Sequence, residues 1–152
     1  MEKKMSVMGI GHKAGAVVGG YLVLTVVLSY VFSPSFRITS GSYSTLLTAG
    51  IVMAVVGFSI NLAAAFQMLK AHKKDALATT GLYGIFLHPM YFFQVFVTIP
   101  GITLLFNSWL VLTTVLVGIA AVKLFVKEEN HYLENRYGDA YREYIQKVLI
   151  KF

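Results

Sequence analysis

Between Asp75 and Lys123 the chain carries no Asp, Glu, Lys or Arg. Residues 76–122 are too long for one bilayer crossing, which takes about 20 apolar residues at 1.5 Å each over roughly 30 Å of hydrocarbon, and are about right for two. Two interior features divide the stretch. Proline is tolerated in the first turn of a helix, so His88-Pro89 can begin one, and Asn107-Ser108 is a short polar break between apolar runs. The expected result is a helical hairpin, roughly 89–106 and 109–126. Pro100-Gly101 lies within its first arm and should kink or interrupt that helix.

Two more uncharged runs precede the hairpin. Residues 14–32 make a first span. Lys3, Lys4 and Lys13 ahead of it could suggest a signal peptide, but bulky Tyr30, Val31 and Phe32 leave no small-residue cleavage site, so an uncleaved anchor is expected. After a Ser- and Gly-rich loop, residues 43–69 form a second span closed by Lys70, His72, Lys73 and Lys74. Twelve of the thirteen basic residues then fall on one side and only Arg37 on the other, which places both termini in the cytoplasm by the positive-inside rule. The composition agrees: at 57 % hydrophobic and 13 % charged, the chain is neither an ordinary soluble domain nor disordered. A net charge of +6 with long uncharged stretches also excludes a nucleic-acid-coating protein. The fold class expected is an all-α integral-membrane bundle of about four helices forming a single domain, with a polar C-terminal tail at 127–152 on the cytoplasmic side.

Helix faces can be read as well. Gly11, Gly15 and Gly19 recur every four residues, and Gly50, Ala54, Gly57, Asn61 and Ala65 form a small-residue stripe on the second span; both are expected to pack against other helices. Asn61 is polar at membrane depth and should face protein, in an interhelical hydrogen bond or a ligand contact. In the tail, a helix should run out of the membrane to Tyr137, stop at Gly138 and restart at Asp139. The second helix would carry Tyr141, Tyr144, Ile145, Val148 and Leu149 on one side. With the chain ending at Phe152, any active site is expected between the membrane helices and this tail.

Chemistry-bearing residues fall into two groups. Gly81-Leu82-Tyr83 leads to His88-Pro89-Met90-Tyr91, and Glu128-Glu129 is followed by Asn130, Leu133, Tyr137, Gly138, Tyr141 and Tyr144. The hairpin's antiparallel arms return the second group to the membrane face of the first. Without cysteine there is no thiolate nucleophile or thiolate metal site, and His12, His72 and His131 lack metal-ligand spacing, so no metal is expected. A helix start at Pro89 with His88 beside it can receive a carboxylate, and paired carboxylates can receive hydroxyls or an ammonium. The combination suits a cationic or zwitterionic small molecule. Each piece also has a plainer use: His88 as a helix cap, Glu128-Glu129 as a solvated face paired with Lys123, Lys127 or Arg136, and the tyrosines as interface anchors.

In order, Gly81-Leu82-Tyr83, Leu87-His88-Pro89-Met90-Tyr91, Glu128-Glu129, Leu133, Tyr137-Gly138, Tyr141 and Tyr144 resemble the pattern of the isoprenylcysteine carboxyl methyltransferases and their phospholipid methyltransferase relatives. The resemblance runs from Thr80 to Tyr144. It departs at Leu87, where the family usually has arginine, at Leu82, where it has proline, and at Leu133, one position late. The tail also lacks the family's Arg-x-x-Pro ending.

The resemblance implies an integral-membrane methyltransferase that binds S-adenosylmethionine, releases S-adenosylhomocysteine, and takes a lipophilic acceptor from the bilayer. That acceptor is an isoprenylcysteine-like carboxylate, a phospholipid amine or a small thiol. Tyr83, His88, Pro89, Tyr91, Glu128 and Glu129 are the implied cofactor contacts, Glu129 and His88 the candidate bases, and Arg136 and Tyr137 the candidate acceptor contacts. Arg136 or Arg142 could substitute for the missing arginine. Two rival readings share the architecture: a nicotinamide-dependent sterol or enone reductase, and a non-enzymatic scaffold or sensor. The first would need a dinucleotide fingerprint and phosphate-binding cations, and the chain offers Glu-Glu instead.

Overall fold

The computed structural model describes residues 11–38 and 42–151; Lys3 and Lys4 of the basic flank and the terminal Phe152 lie outside them. It is all-helical, with four helices long and apolar enough to cross a membrane: His12–Val31, Tyr43–His72, Pro89–Phe106 and Trp109–Tyr137. Helices are the form such segments take because no water is present in hydrocarbon to satisfy open backbone groups. In chain order the elements are α1 (Gly11–Val31), α2 (Tyr43–His72), a 3-10 turn (Gly81–Gly84), α3 (Pro89–Phe93), a π-helical turn (Gln94–Thr98), α4 (Ile99–Phe106), α5 (Trp109–Leu112), α6 (Thr114–Tyr137) and α7 (Asp139–Lys147).

The third span is the α3–π–α4 rod, and its interruption takes a specific form. Proline at position 100 has no N–H to return to the preceding turn. Just ahead of it the helix widens, with the Ile99 N–H donating to the Gln94 carbonyl five residues back and the Thr98 hydroxyl donating to the Phe93 carbonyl at 3.3 Å. The rod ends at Asn107, whose φ of +49° lies in the left-handed region that asparagine tolerates. Ile38 N–H donates to the Asn107 carbonyl at 3.2 Å and Trp109 N–H to the Phe36 carbonyl at 3.0 Å, so the first loop is tied to the hairpin tip.

The small-residue stripe of α2 packs as expected. A Cβ on Gly50 would meet the Gly101 carbonyl at 2.9 Å, and one on Gly57 would collide with Thr98, so the second and third spans meet backbone to backbone. The glycines of α1 behave differently. A Cβ on Gly15 or Gly19 would meet nothing within 4 Å, so the expected packing face is corrected. The helix packs instead on the fourth span through Tyr21, Thr25 and Ser29, whose hydroxyls reach Thr113 (3.0 Å), Thr114 (3.4 Å) and Ser108 (2.6 Å). Two residues turn a helix by about 200°, so the Tyr21 stripe looks away from Gly19. Interhelical hydroxyl bonds are the stronger adhesive in a solvent without a hydrophobic drive between helices.

The tail folds back on the membrane face. Gly138, at φ +54°, ends α6 and opens α7; Asp139 is the first residue of α7, behind Gly138. Leu87, Tyr141, Tyr144 and Val148 form a buried cluster with Leu133, Tyr137 and Ile145 around it. Leu149 departs from the expected apolar side: α7 stops at Lys147, Val148 is extended, and Leu149 turns outward. The extended end is pinned by Leu87 N–H to the Ile150 carbonyl and Ile150 N–H to the Ile85 carbonyl, both 2.9 Å.

Candidate functional site

The segment before the third span is held by its backbone. Gly81 takes φ +63° above the Gln67 side chain, where a Cβ would lie 2.7 Å from the Gln67 Oε1 that accepts from Leu82 N–H. That turn buries Tyr83, whose carbonyl accepts from the Tyr144 hydroxyl at 2.8 Å. The chain then enters α3 at His88-Pro89, both buried. His88 is the N-cap of α3 but makes no side-chain cap bond, so the capping role is excluded. Its ring turns inward instead and stacks on Tyr91 at 5.6 Å between centroids.

There the two ends of the hairpin meet. His88 Nε2 lies 2.8 Å from Asn130 Oδ1, which also accepts from the Tyr141 hydroxyl at 2.8 Å. The Tyr91 hydroxyl donates to Glu129 Oε2 at 2.6 Å, and His88 Nδ1 is 3.6 Å from Glu129 Oε1. Burial holds the His88 imidazole below its ordinary pKa, against the opposing pull of Glu129 and of the Asn130 bond, so the ring is neutral at pH 7. With Asn130 Oδ1 accepting, the ring proton sits on Nε2 and the Nδ1 lone pair faces the Glu129 carboxyl group. Two acceptors side by side are a place for a cationic donor. Burial also raises the phenols of Tyr83, Tyr141 and Tyr144, the last to about 12, so they remain hydrogen-bond donors at neutral pH.

Tyr83, His88, Tyr91, Glu129 and Tyr144 wall a cavity of about 90 Å³, lined also by Met68, His72, Leu77, Tyr132, Arg136 and Tyr137. Of the residues singled out in the sequence, the fold brings Tyr83, His88, Tyr91, Glu129, Arg136 and Tyr137 to this wall, with Pro89 buried behind it. Glu128 is not among them. It lies on the exposed side of α6 and pairs with Lys13 of α1, a different partner from the lysines and Arg136 considered for it. Arg136 is held by Asp75 and by the Tyr132 hydroxyl at 2.8 Å, whereas Arg142 is exposed and paired with Glu134 and Asp139. Leu87, at the position of the family's arginine, is buried in the tail cluster and supplies packing rather than charge.

Asn130 and Tyr141, grouped with the glutamates in the sequence but not among the named cofactor contacts, connect His88 to the tail. Asn130 stands directly after the two glutamates, and that adjacency was the available clue. A second cavity, of about 540 Å³, runs into the membrane region between α1, α2 and the third span. It shares Met68, Met90 and Tyr91 with the first. The two cavities therefore adjoin across these side chains, the second lying on the membrane side of the first.

Neither a curated protein nor a solved structure matches the chain significantly. The phospholipid methyltransferase family profile matches residues 44–140, which include α2 but for its first residue, the entire hairpin, the His88–Glu129–Asn130 cluster and the Gly138 turn. On that match, over more than half its length, the chain belongs to the phospholipid methyltransferase family.

Proposed function

We propose that this membrane protein transfers a methyl group from S-adenosylmethionine to a lipophilic acceptor at the cytoplasmic face. The observation that carries the reading is the convergence of His88, Tyr91, Glu129 and Asn130, from opposite ends of the hairpin, beside a cavity that adjoins a second one between the membrane spans. Family membership supports methyl transfer as the reaction class. Basic residues flanking this end of the spans support the cytoplasmic side.

The residues present fit the cofactor's chemistry. Glu129 and the bare Nδ1 of His88 suit an ammonium, Arg136 suits a carboxylate, and Tyr83, Tyr132 and Tyr137 offer faces and hydroxyls to a nucleoside. The enclosed 90 Å³ is small beside the roughly 300 Å³ or more of an ordinary ligand pocket. The nucleoside would therefore lie in the open mouth near Arg136, with only the amino-acid end enclosed. When bound, the cofactor supplies an activated methyl group on a sulfonium that is already a leaving group.

The protein's own task is to orient the acceptor and keep water out. A carboxylate or thiolate acceptor needs no base. An amine or thiol must lose a proton, and the neutral His88 or Glu129 is placed to take it. The acceptor, an isoprenylcysteine-like carboxylate, a phospholipid amine or a small thiol, would enter through the membrane cavity. Calorimetric titration of the nanodisc-held protein with S-adenosylhomocysteine tests the assignment. Saturable binding is expected; folded protein that shows none across several lipid compositions overturns it.

A further inference from the structure

The end of the bundle opposite the His88–Glu129 site has an opening of its own. A cavity of about 1030 Å³ lies between the last turns of α1, the first loop, the start of α2 and the hairpin tip. Val26, Val27 and Phe106 give it apolar walls, and its Tyr30 and Tyr43 are 86 % and 57 % exposed. Exposed tyrosines at the ends of apolar spans mark the headgroup level of a bilayer. Among the described residues that line the cavity, Arg37 alone is charged.

The backbone holds Arg37 in place. Its N–H donates to the Pro34 carbonyl at 3.0 Å, and its neighbours Phe36 and Ile38 are bonded to Trp109 and Asn107 of the hairpin tip. The Phe36 ring also packs edge-on against Trp109, at 5.2 Å between centroids. The guanidinium, by contrast, has no ion pair or hydrogen bond among the described residues, and the sequence supplies the reason. Of the seven acidic residues, Glu2 precedes the first span, Asp75 follows the second, and the other five fall at 128–143, on the side of the His88–Glu129 site. A second copy lying alongside in the same orientation would bring no carboxylate to this level either. The serines do not change the balance: the Ser29 hydroxyl donates to the Thr25 carbonyl and Ser108 bonds to Ser29, both at 2.6 Å. Asn107 is a second polar group that the protein leaves incomplete, with Oδ1 buried and unpartnered among the described residues.

A fixed, uncompensated cation over apolar walls at headgroup depth calls for an anionic amphiphile. A soluble anion would meet the charge and leave the valines and Phe106 against water, whereas a guanidinium and a lipid phosphate can join through two parallel N–H···O bonds while the chains cover the walls. We propose that Arg37 binds the phosphate of a resident lipid in the leaflet opposite the His88–Glu129 site. This lipid bridges the first loop and the hairpin tip and is neither cofactor nor acceptor, so the inference stands apart from the proposed reaction.

The test follows binding and its location together. Delipidated full-length protein in detergent is titrated with phosphatidylglycerol, with diacylglycerol of the same chains, and with inorganic phosphate. Native mass spectrometry counts bound equivalents, and hydrogen exchange is followed at residues 33–38. Phosphatidylglycerol is expected to bind the wild type and slow exchange at these residues; diacylglycerol should not slow it. Arg37→Gln should weaken this equivalent by about tenfold or more, the value of a charge-assisted hydrogen bond, and abolish the slowing. Because the guanidinium touches nothing within the protein, this variant should fold, which melting curves check. A Lys73→Gln, Lys74→Gln double variant, altered at the other end, should retain both effects. Unchanged affinity and slowing in folded Arg37→Gln protein overturns the proposal, as does equal slowing by diacylglycerol. Inorganic phosphate that slows these residues as tightly as the lipid assigns a soluble anion and overturns it too.

Discussion

Substituting Glu129 and Glu128 one at a time tests the architecture of the site, because the fold gives these neighbours opposite surroundings. Glu129 has a side chain only 15 % exposed, accepts from the Tyr91 hydroxyl at 2.6 Å and lies 3.6 Å from His88 Nδ1. In Glu129→Gln an amide oxygen remains for Tyr91, so the loss is confined to the contact with a bound ammonium. A charge-assisted hydrogen bond in such a setting contributes about 1.5–3 kcal/mol. At 1.4 kcal/mol per tenfold, S-adenosylhomocysteine should bind about 10- to 150-fold more weakly. Glu128 is 53 % exposed and paired with a Lys13 that is 45 % exposed. Solvent screening limits that pair to about 0–1 kcal/mol, so Glu128→Gln should change affinity less than about fivefold. The assay is isothermal titration in nanodiscs, with melting curves establishing that both variants fold. A folded Glu129→Gln protein that binds like wild type, or a Glu128→Gln protein as impaired as Glu129→Gln, would refute the placement of the site.

Acidification offers an independent check. Burial lowers the His88 pKa from its ordinary 6.5, so the folded ring is neutral at pH 7 and gains its proton only below 6.5. The protonated ring would pair with Glu129 and displace a cationic ligand. Binding should therefore be flat above pH 6.5 and weaken below it, whereas His88→Gln should lose this pH dependence. The same shift makes folding stability fall with pH below 6.5, because the unfolded chain binds that proton more readily than the folded one. In the bundle, Gly57→Ala drives a methyl group into Thr98 and should cost about 1–3 kcal/mol in mixed-micelle unfolding. Gly19→Ala, whose Cβ meets only open space, should stay within about 0.5 kcal/mol. Tyr144→Phe removes the donor to the Tyr83 carbonyl; a loss of about 1 kcal/mol should appear as faster hydrogen exchange at residues 138–151, with the membrane spans unaffected.

The spans were legible because hydrocarbon leaves a chain few options: uncharged runs of the right length become helices, and the breaks fall where Pro89 and Asn107 can start or end one. The joining of His88 to the glutamate pair was legible for a related reason, since a hairpin returns its end to the side of its beginning. Facing was harder to read. Both small-residue stripes keep the three- and four-residue steps of one helix side, yet Gly50 and Gly57 receive a neighbouring backbone while Gly15 and Gly19 border an opening. Spacing fixes which residues share a side and is silent on what that side meets. The glutamates show the limit most clearly. Glu129 lies seven residues beyond Val122, on the side of α6 that packs on Tyr91 and Val95. Glu128 lies seven beyond Ala121 and reaches Lys13 of α1. Seven residues are close to two full turns, so each glutamate continues the face of the apolar residue below it. Which of those faces looks toward the third span and which toward the first depends on how four helices settle around one another. One hundred degrees of rotation on α6 therefore separates a residue at the site from its neighbour in an exposed ion pair, a distinction that the dipeptide itself does not carry.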